Sequence, residues 1–209
     1  MDLEIFIKIV SPYTMTGVER MTELYNSLEY IRTNNIEGDI VECGVWMGGN
    51  ILGCIEYCKF YNMNRVIWLY DTFTGMTESG EDDIDMFGNM GKEWEGKSNI
   101  SLYDVKKIIG NAKYPSEKIK YVVGDVLETL DDKINIPTKI SILRLDTDWY
   151  SSTKKEMEVL YPKLNKHGVL IVDDYGHWTG SKKAIDEYFQ HEQILIEHID
   201  YTGIKIIKK

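Results

Sequence analysis

The stretch Asp39-Ile-Val-Glu-Cys-Gly-Val-Trp-Met-Gly-Gly-Asn50 constrains this chain more than any other. A short apolar run passes straight into a glycine-rich turn. A helix is predicted to begin near Asn50 and to carry Ile51, Leu52, Ile55, Tyr57 and Cys58 on its apolar faces. Strand, glycine turn and helix in that order build a ligand site at the carboxyl end of a parallel strand. Gly44, Gly48 and Gly49 permit positive φ or close approach of a ligand to the backbone. Glu42 argues against a phosphate loop, because an acid there repels a diphosphate but can receive an amino group or an ordered water. Such a loop would also carry Lys followed by Ser or Thr. The plainer alternative is that these glycines only shape a tight turn.

The next unit extends the pattern. After a helix over 50–61, Arg65-Val-Ile-Trp-Leu-Tyr70 has the composition of a buried strand and stops at Asp71. Strand, helix, strand and terminal acid make one βαβ piece. An acid at the second strand end can accept bonds from both hydroxyls of a ribose. The spacing from Glu42 to Asp71 is loose for a nicotinamide site, and the first turn is not Gly-x-Gly-x-x-Gly. A nicotinamide-dependent oxidoreductase and a non-catalytic small-molecule-binding protein are the competing classes.

Upstream, Leu3, Ile5, Ile7 and Ile9 alternate, which fits a short strand or a docking arm, and a helix is expected over 16–34. Residues 1–37 are therefore an amino-terminal arm and helix packed on a core of residues 38–209, one domain overall. Residues 72–99 mix an acidic run with Gly, Met, Phe and Trp, and are read as a lid or acceptor-side insertion; a plain surface insertion is the alternative. A helix follows over 101–109. Lys120-Tyr-Val-Val123 is the third strand, ending at Gly124-Asp125, where Asp125 contacts a ligand or caps a helix over 126–130. Strands over 140–146 and 168–174 are separated by a helix carrying Met157, Leu160, Tyr161 and Leu164. A last helix over 181–191 and an antiparallel pair over 194–199 and 204–207 complete the chain.

Asp and Glu outnumber Lys and Arg by 34 to 24, a net charge of −10. Such a surface has no general attraction for nucleic acid or anionic lipid, so neither is an expected partner. No long apolar leader or spanning run is present, and a cytoplasmic location is the default expectation. Cys43, Cys54 and Cys58 lack a nearby His set and are expected as buried thiols rather than a zinc site.

The sharpest chemistry sits at two strand ends, Asp146-Thr-Asp148 and Asp173-Asp174. Neighbouring parallel strands bring such ends to one crevice. Several unpaired carboxylates are costly to gather without a cation, so three of them suggest hard oxygen ligands for magnesium. Arg144 shares a strand face with Asp146 and is either a counter-ion that competes with a metal or a group that neutralises surplus acid. Turn hydrogen bonds and helix capping by these acids are the plainer reading.

Taken together, Gly38-Asp-Ile-Val-Glu-Cys-Gly-Val-Trp-Met-Gly-Gly49, Asp71-Thr-Phe-Thr-Gly75, Gly124-Asp-Val-Leu-Glu-Thr-Leu130, Leu143-Arg-Leu-Asp-Thr-Asp-Trp-Tyr-Ser-Ser-Thr153, Leu160-Tyr-Pro-Lys-Leu164, Gly168-Val-Leu-Ile-Val-Asp-Asp-Tyr175 and Ala184-Ile-Asp-Glu-Tyr-Phe189 resemble the macrocin O-methyltransferase family. That family lies within the class I S-adenosylmethionine-dependent methyltransferases. The resemblance implies an α/β Rossmann-like fold: seven strands, mostly parallel, the last antiparallel, with helices on both faces. It implies S-adenosylmethionine as cofactor and magnesium-assisted methylation of a sugar hydroxyl in a glycoside, surface glycan or nucleotide sugar. A catechol or phenol is the alternative acceptor, and a homo-oligomer is possible. By similarity, Glu42, Gly44, Val45, Gly48 and Gly49 surround the methionine part of the cofactor. Asp71 and Thr72 serve its ribose, Gly124 and Asp125 its adenine, and Asp146 adjoins it. Asp146, Asp173 and Asp174 match the metal acids, and Asp148 the general base. Trp149, Tyr150, Tyr175, His177 and Trp178 are candidates on the acceptor side, His177 also as a second base. The acceptor region, with its local run Gly176-His-Trp-Thr-Gly180, departs from familiar members, so the acceptor itself stays open.

Overall fold

A computed structural model describes residues 1–209. The amino-terminal alternation of Ile residues folds as a helix, α1 (Leu3–Val10), and not as a strand. Asp2 caps it by accepting from the Ile5 amide at 2.9 Å, and the i, i+4 pair Phe6 and Val10 is wholly buried. The residues that face the core are the pair that breaks the alternation, while Ile5 of the alternating set is 48% exposed. Helix α2 (Val18–Thr33) follows, burying Met21, Leu24, Leu28 and Ile31 as its stripe requires. Strand β1 (Asp39–Cys43), helix α3 (Gly49–Phe60) and strand β2 (Ile67–Asp71) form the expected unit. Next come α4 (Leu102–Gly110), β3 (Ile119–Val123), α5 (Val126–Thr129), β4 (Ile140–Leu145) and α6 (Tyr150–Val159). Strand β5 (Leu164–Val172) starts four residues earlier than its apolar core suggested, and passes an irregularity where His167 has φ +65°. Helix α7 (Thr179–Tyr188) leads to β6 (Glu197–His198) and β7 (Ile204–Ile207). The expected strand over 194–199 is thus reduced to two exposed residues at the sheet edge, short enough to offer little template for pairing.

The seven strands lie in the order β3-β2-β1-β4-β5-β7-β6. β1 to β5 are parallel, and β7 inserts antiparallel between β5 and β6. Chain order reverses direction across the sheet between β1 and β4, the switch point where such sheets open a ligand crevice. Helices α1 to α4 bury Phe6, Leu28, Ile55 and Ile109 against Ile40, Ile142 and Ile171 on one face. Helices α5 to α7 bury Val126, Met157 and Ile185 against Val41, Leu143 and Val172 on the other. Each such side chain contributes about 1.5–3 kcal/mol of burial. The three cysteines are free and buried. No helix is long and apolar enough to cross a membrane.

Candidate active site

Register decides which acids meet. Glu42 pairs with Arg144, and Arg144 with Ile171, so Glu42, Arg144, Asp146 and Asp173 project from one sheet face by two-residue alternation. Arg144 is 3% exposed. Its Nη1 donates to Glu42 Oε1 at 2.7 Å and to Asp146 Oδ2 at 2.6 Å, and its Nη2 donates to Asp173 Oδ1. Burial disfavours the charge on Arg144, but Asp146, Asp173 and Glu42 outweigh it and hold the guanidinium protonated. From α2, Arg20 Nη1 donates to Asp173 Oδ2. Its Nε lies 3.0 Å from Asp200 Oδ2, an ion pair without hydrogen-bond alignment. Both oxygens of Asp173 are therefore taken by arginines. This departs from its expected place among the metal acids.

A different trio converges. One carboxylate oxygen each from Asp146, Asp148 and Asp174 lies within 4.8 Å of the others. Asp148 reaches this position, beside the carboxyl of Asp174, through a left-handed backbone, φ +67°. Burial, and then the neighbouring acids, push Asp148 up to about 7 and Asp174 well above the carboxylate range. Asp174 Oδ2 is buried and has no partner. Three hard oxygens, of whose residues only Asp146 is paired with an arginine, fit a divalent cation of the magnesium type.

Beside them opens a cleft with about 740 Å³ of empty space, part of it continuous with solvent. Gly44, Asp71, Thr72, Gly124, Asp125, Asp146, Asp148 and Trp149 line it. Gly44 has φ +78°, and a Cβ there would strike the Asp146 carbonyl, so only glycine lets the ends of β1 and β4 close up. Asp71 accepts from the Val45 amide at 2.8 Å, the Trp46 amide at 3.2 Å and the Phe73 amide at 2.8 Å. It thereby shapes the glycine turn at the wall of the cleft. Thr72 Oγ1 donates to the Gly75 carbonyl at 2.6 Å, and Asp125 caps α5 at the Leu127 amide at 2.8 Å.

Val45, Gly48 and Gly49 are not in the cleft wall. Gly48 packs on Val105 and Ile109, and Gly49 on the carbonyls of Tyr13 and Val10, so both bring α3 against neighbouring segments. Glu42 lies behind the wall. Asn50 Nδ2 donates to its Oε1 at 3.1 Å, and Oε2 is buried without a partner. Burial, offset by Arg144, pushes Glu42 up to about 7. An orphaned buried acceptor beside the glycine turn fits a ligand amino group or a bridging water.

Of the acceptor-side residues, Trp149 alone reaches the cleft. It is 1% exposed, its Nε1 donates to the Thr77 carbonyl at 3.1 Å, and it meets Trp178 edge to face at 4.9 Å. Trp178 is packed in the interior. The Tyr150 hydroxyl donates to Glu187 at 2.7 Å and the Tyr175 hydroxyl to Asp186 at 2.7 Å, which ties both to α7. His177 is half-buried between Phe87 and Tyr201, with Nδ1 unpartnered. Sequence reasoning missed Met15, Trp46, Met76, Thr77, Thr147 and Ser152, which also line the cleft. Thr147 and Ser152 stand inside a motif already singled out. Met15 comes from a distant segment and carries no local signal.

The family model for macrocin O-methyltransferase matches residues 10–208. The chain is 32% identical over 180 residues to demethyldecarbamoylnovobiocin O-methyltransferase of Streptomyces niveus, covering 84% of this chain and 67% of that protein. It is 29% identical over 197 residues to 8-demethyl-8-(2,3-dimethoxy-alpha-L-rhamnosyl)-tetracenomycin-C 4'-O-methyltransferase of Streptomyces olivaceus, covering 92% and 74%. The solved O-methyltransferase NovP superposes with a TM-score of 0.88 at 25% identity, over 99% of this chain and 98% of that one. With this sheet order, this cleft and these relatives, the chain belongs to the macrocin O-methyltransferase family and is an S-adenosylmethionine-dependent O-methyltransferase.

Proposed function

We propose that the enzyme methylates a hydroxyl of a sugar, in a glycoside, surface glycan or nucleotide sugar, with a divalent cation held by Asp146, Asp148 and Asp174. The observation that carries this reading is the convergence of those three carboxylates at the rim of the cleft. The names of relatives acting on glycosylated natural products support the sugar. When bound, S-adenosylmethionine supplies a methyl group on a sulfonium, and magnesium supplies Lewis acidity toward vicinal hydroxyls.

The chain's own residues divide the remaining work. Glu42 Oε2 and the Gly44 turn receive the amino-acid end of the cofactor, Asp71 its ribose hydroxyls, and Gly124 and Asp125 its adenine. Arg144 neutralises Glu42 and Asp173 and holds one oxygen of Asp146, which leaves the second oxygen of Asp146, with Asp148 and Asp174, for the cation. Trp149 walls the cleft against water. Asp148 gives one oxygen to the cation and takes the acceptor proton on the other; a lone carboxylate is a weak base for an aliphatic alcohol, so a cation that also binds the acceptor hydroxyl is needed to close the gap. Asp173 serves as counter-ion to the two arginines rather than as a ligand.

The test is transfer of labelled methyl to aryl glycosides, nucleotide sugars and catechols, with chelator and then with magnesium restored. Sugar O-methylation that chelator abolishes, and an Asp148→Asn variant that loses turnover by about 10²-fold or more yet still binds S-adenosylhomocysteine, are expected. Full turnover in chelator removes the metal, and selective transfer to a catechol removes the sugar.

A further inference from the structure

Residues 72–99 form an arm with a closed base. The Met76 amide donates to the Lys97 carbonyl at 2.9 Å, and the Gly96 amide returns to Met76 at 2.9 Å. Near the middle stands Asp83, 1% exposed, the one fully buried acid of a run whose other acids are exposed or half-buried. No lysine or arginine pairs with it. Its Oδ1 accepts from the Tyr150 amide at 2.7 Å, and its Oδ2 from the Gly80 amide at 2.6 Å. Tyr150 is the first residue of α6, and the residue preceding that helix supplies no side-chain cap. The cap comes instead from the arm, a buried carboxylate set at the positive end of a helix.

The opposite wall of this niche is Gly180, in the first turn of α7. Asp83 Oδ1 occupies the space a Cβ at Gly180 would need, and that Cβ would also lie 2.9 Å from the Tyr150 amide nitrogen. Glycine is required because a carboxylate is wedged between the starts of two helices. Neighbouring contacts tighten the same junction. Thr179 Oγ1 contacts the carbonyls of Asp82, at 2.5 Å, and Ile84, at 3.1 Å, and Asp85 bridges Trp178. A Cβ at Gly91 would meet the Trp149 ring at 2.7 Å. Asp148 lies two residues before Tyr150, and Asp174 six before Gly180. The niche therefore joins the arm to both loops that carry the convergent acids.

We propose that Asp83 and Gly180 form a latch holding the 72–99 arm as a fixed wall beside the loops that carry Asp148 and Asp174, both acting as positioning residues for the acceptor. This rests on the reading that the acid trio faces the acceptor. Both oxygens of Asp83 accept from amide N–H groups, so a carboxylate is needed. Asparagine keeps one acceptor and turns an NH2 toward a donor.

The experiment compares wild type with D83N, D83A, G180A and D83A/G180A. It reads acceptor KM and kcat on an aryl rhamnoside and a nucleotide-linked rhamnose, S-adenosylhomocysteine affinity, and hydrogen exchange at the Tyr150 amide and over 78–95. D83A is expected to raise acceptor KM roughly tenfold or more, to expose the Tyr150 amide and the arm, and to leave cofactor affinity within about threefold. D83N falls between D83A and wild type. G180A alone resembles D83A, but adds little in the D83A background, where the clashing carboxylate is gone. Unchanged acceptor KM and arm protection in folded D83A and G180A overturn the latch, as do strictly additive effects. A parallel loss of cofactor affinity reassigns it to the cofactor cleft. If wild type methylates no glycoside, the sugar reading fails, and the Tyr150 amide still decides whether the latch exists.

Discussion

Glu156 is wholly buried on α6, and no cation pairs with it. Both of its oxygens lie 3.1 Å from Thr147 Oγ1, and the thiol of Cys43 is its other partner. Burial, partly offset by those hydrogen bonds, pushes its carboxyl up to about 8 from an ordinary 4.5. Its folded value lies above its unfolded one, so the native state keeps a proton that the unfolded chain releases. Its contribution is fully present below about 4.5 and is lost as pH rises through about 8. Each unit of separation is worth about 1.4 kcal/mol, so Glu156→Gln should stabilise the protein by a few kcal/mol at pH 9 and change little at pH 5. Urea denaturation across that range checks it, and a pH-independent difference would sink it. Glu156 was not singled out in the sequence, although Leu160 lies four residues on and the two share a helix face. A glutamate on a helix is ordinarily solvated. The pair Asp173-Asp174 was legible as chemistry but not in its division of labour, because adjacent residues at a strand end point to opposite faces. Only the register of Arg144 against β5 shows which one meets the arginines.

Helix α1 illustrates what an element's period leaves undecided. Leu3, Ile5, Ile7 and Ile9 satisfy a strand template while Leu3, Phe6, Ile7 and Val10 satisfy a helical one, and the choice falls to Asp2 as cap and to the surface that α3 offers. That surface depends on Gly53. A Cβ there would lie 2.5 Å from Val10 Cγ2 and 2.8 Å from the Phe6 ring. Two effects oppose each other in Gly53→Ala: alanine gains up to about 1 kcal/mol of helix propensity, while overpacking costs about 1–3 kcal/mol. Packing should win, so a net destabilisation is expected on chemical denaturation, and Val10→Ala in the same chain should recover most of it. A more stable Gly53→Ala would mean that α1 yields easily and is loosely docked. Strands β1, β2 and β4 were legible for the opposite reason: each is a buried apolar run closed by an acid or glycine. The run over 194–199 shrank to two residues because β7, not that segment, occupies the position beside β5.

Across the whole molecule, the seven-stranded, mostly parallel sheet and its crevice were readable from the alternation of strands and helices together with the family resemblance. Contacts between distant segments were not. Arg20 is the clearest case, since a residue in the first turn of α2 closes on Asp173 at the end of β5 and on Asp200 in the β6–β7 turn. That turn is fixed in its own right: Asp200 accepts from the Thr202 and Gly203 amides at 2.9 and 2.7 Å, and Thr202 Oγ1 donates to the Asp173 carbonyl at 2.8 Å. One guanidinium thus joins the amino-terminal helices, the carboxyl-terminal hairpin and the acid-bearing sheet end. Breaking a buried ion pair by removing one partner costs about 3–5 kcal/mol. The Arg20 side chain is 16% exposed and Arg144 still contacts Asp173, so water and the second arginine should reduce the cost of Arg20→Met to about 2–3 kcal/mol. Helix α2 also buries Leu24, Leu28 and Ile31 in the core it shares with the sheet. Residues 1–37 should therefore unfold with the remainder: Arg20→Met lowers the urea midpoint, leaves the m-value unchanged, and keeps helix signal and core fluorescence coincident. An early transition confined to 1–37, followed by hydrogen exchange along the chain, would instead make the amino-terminal helices a separable layer laid over an independent core.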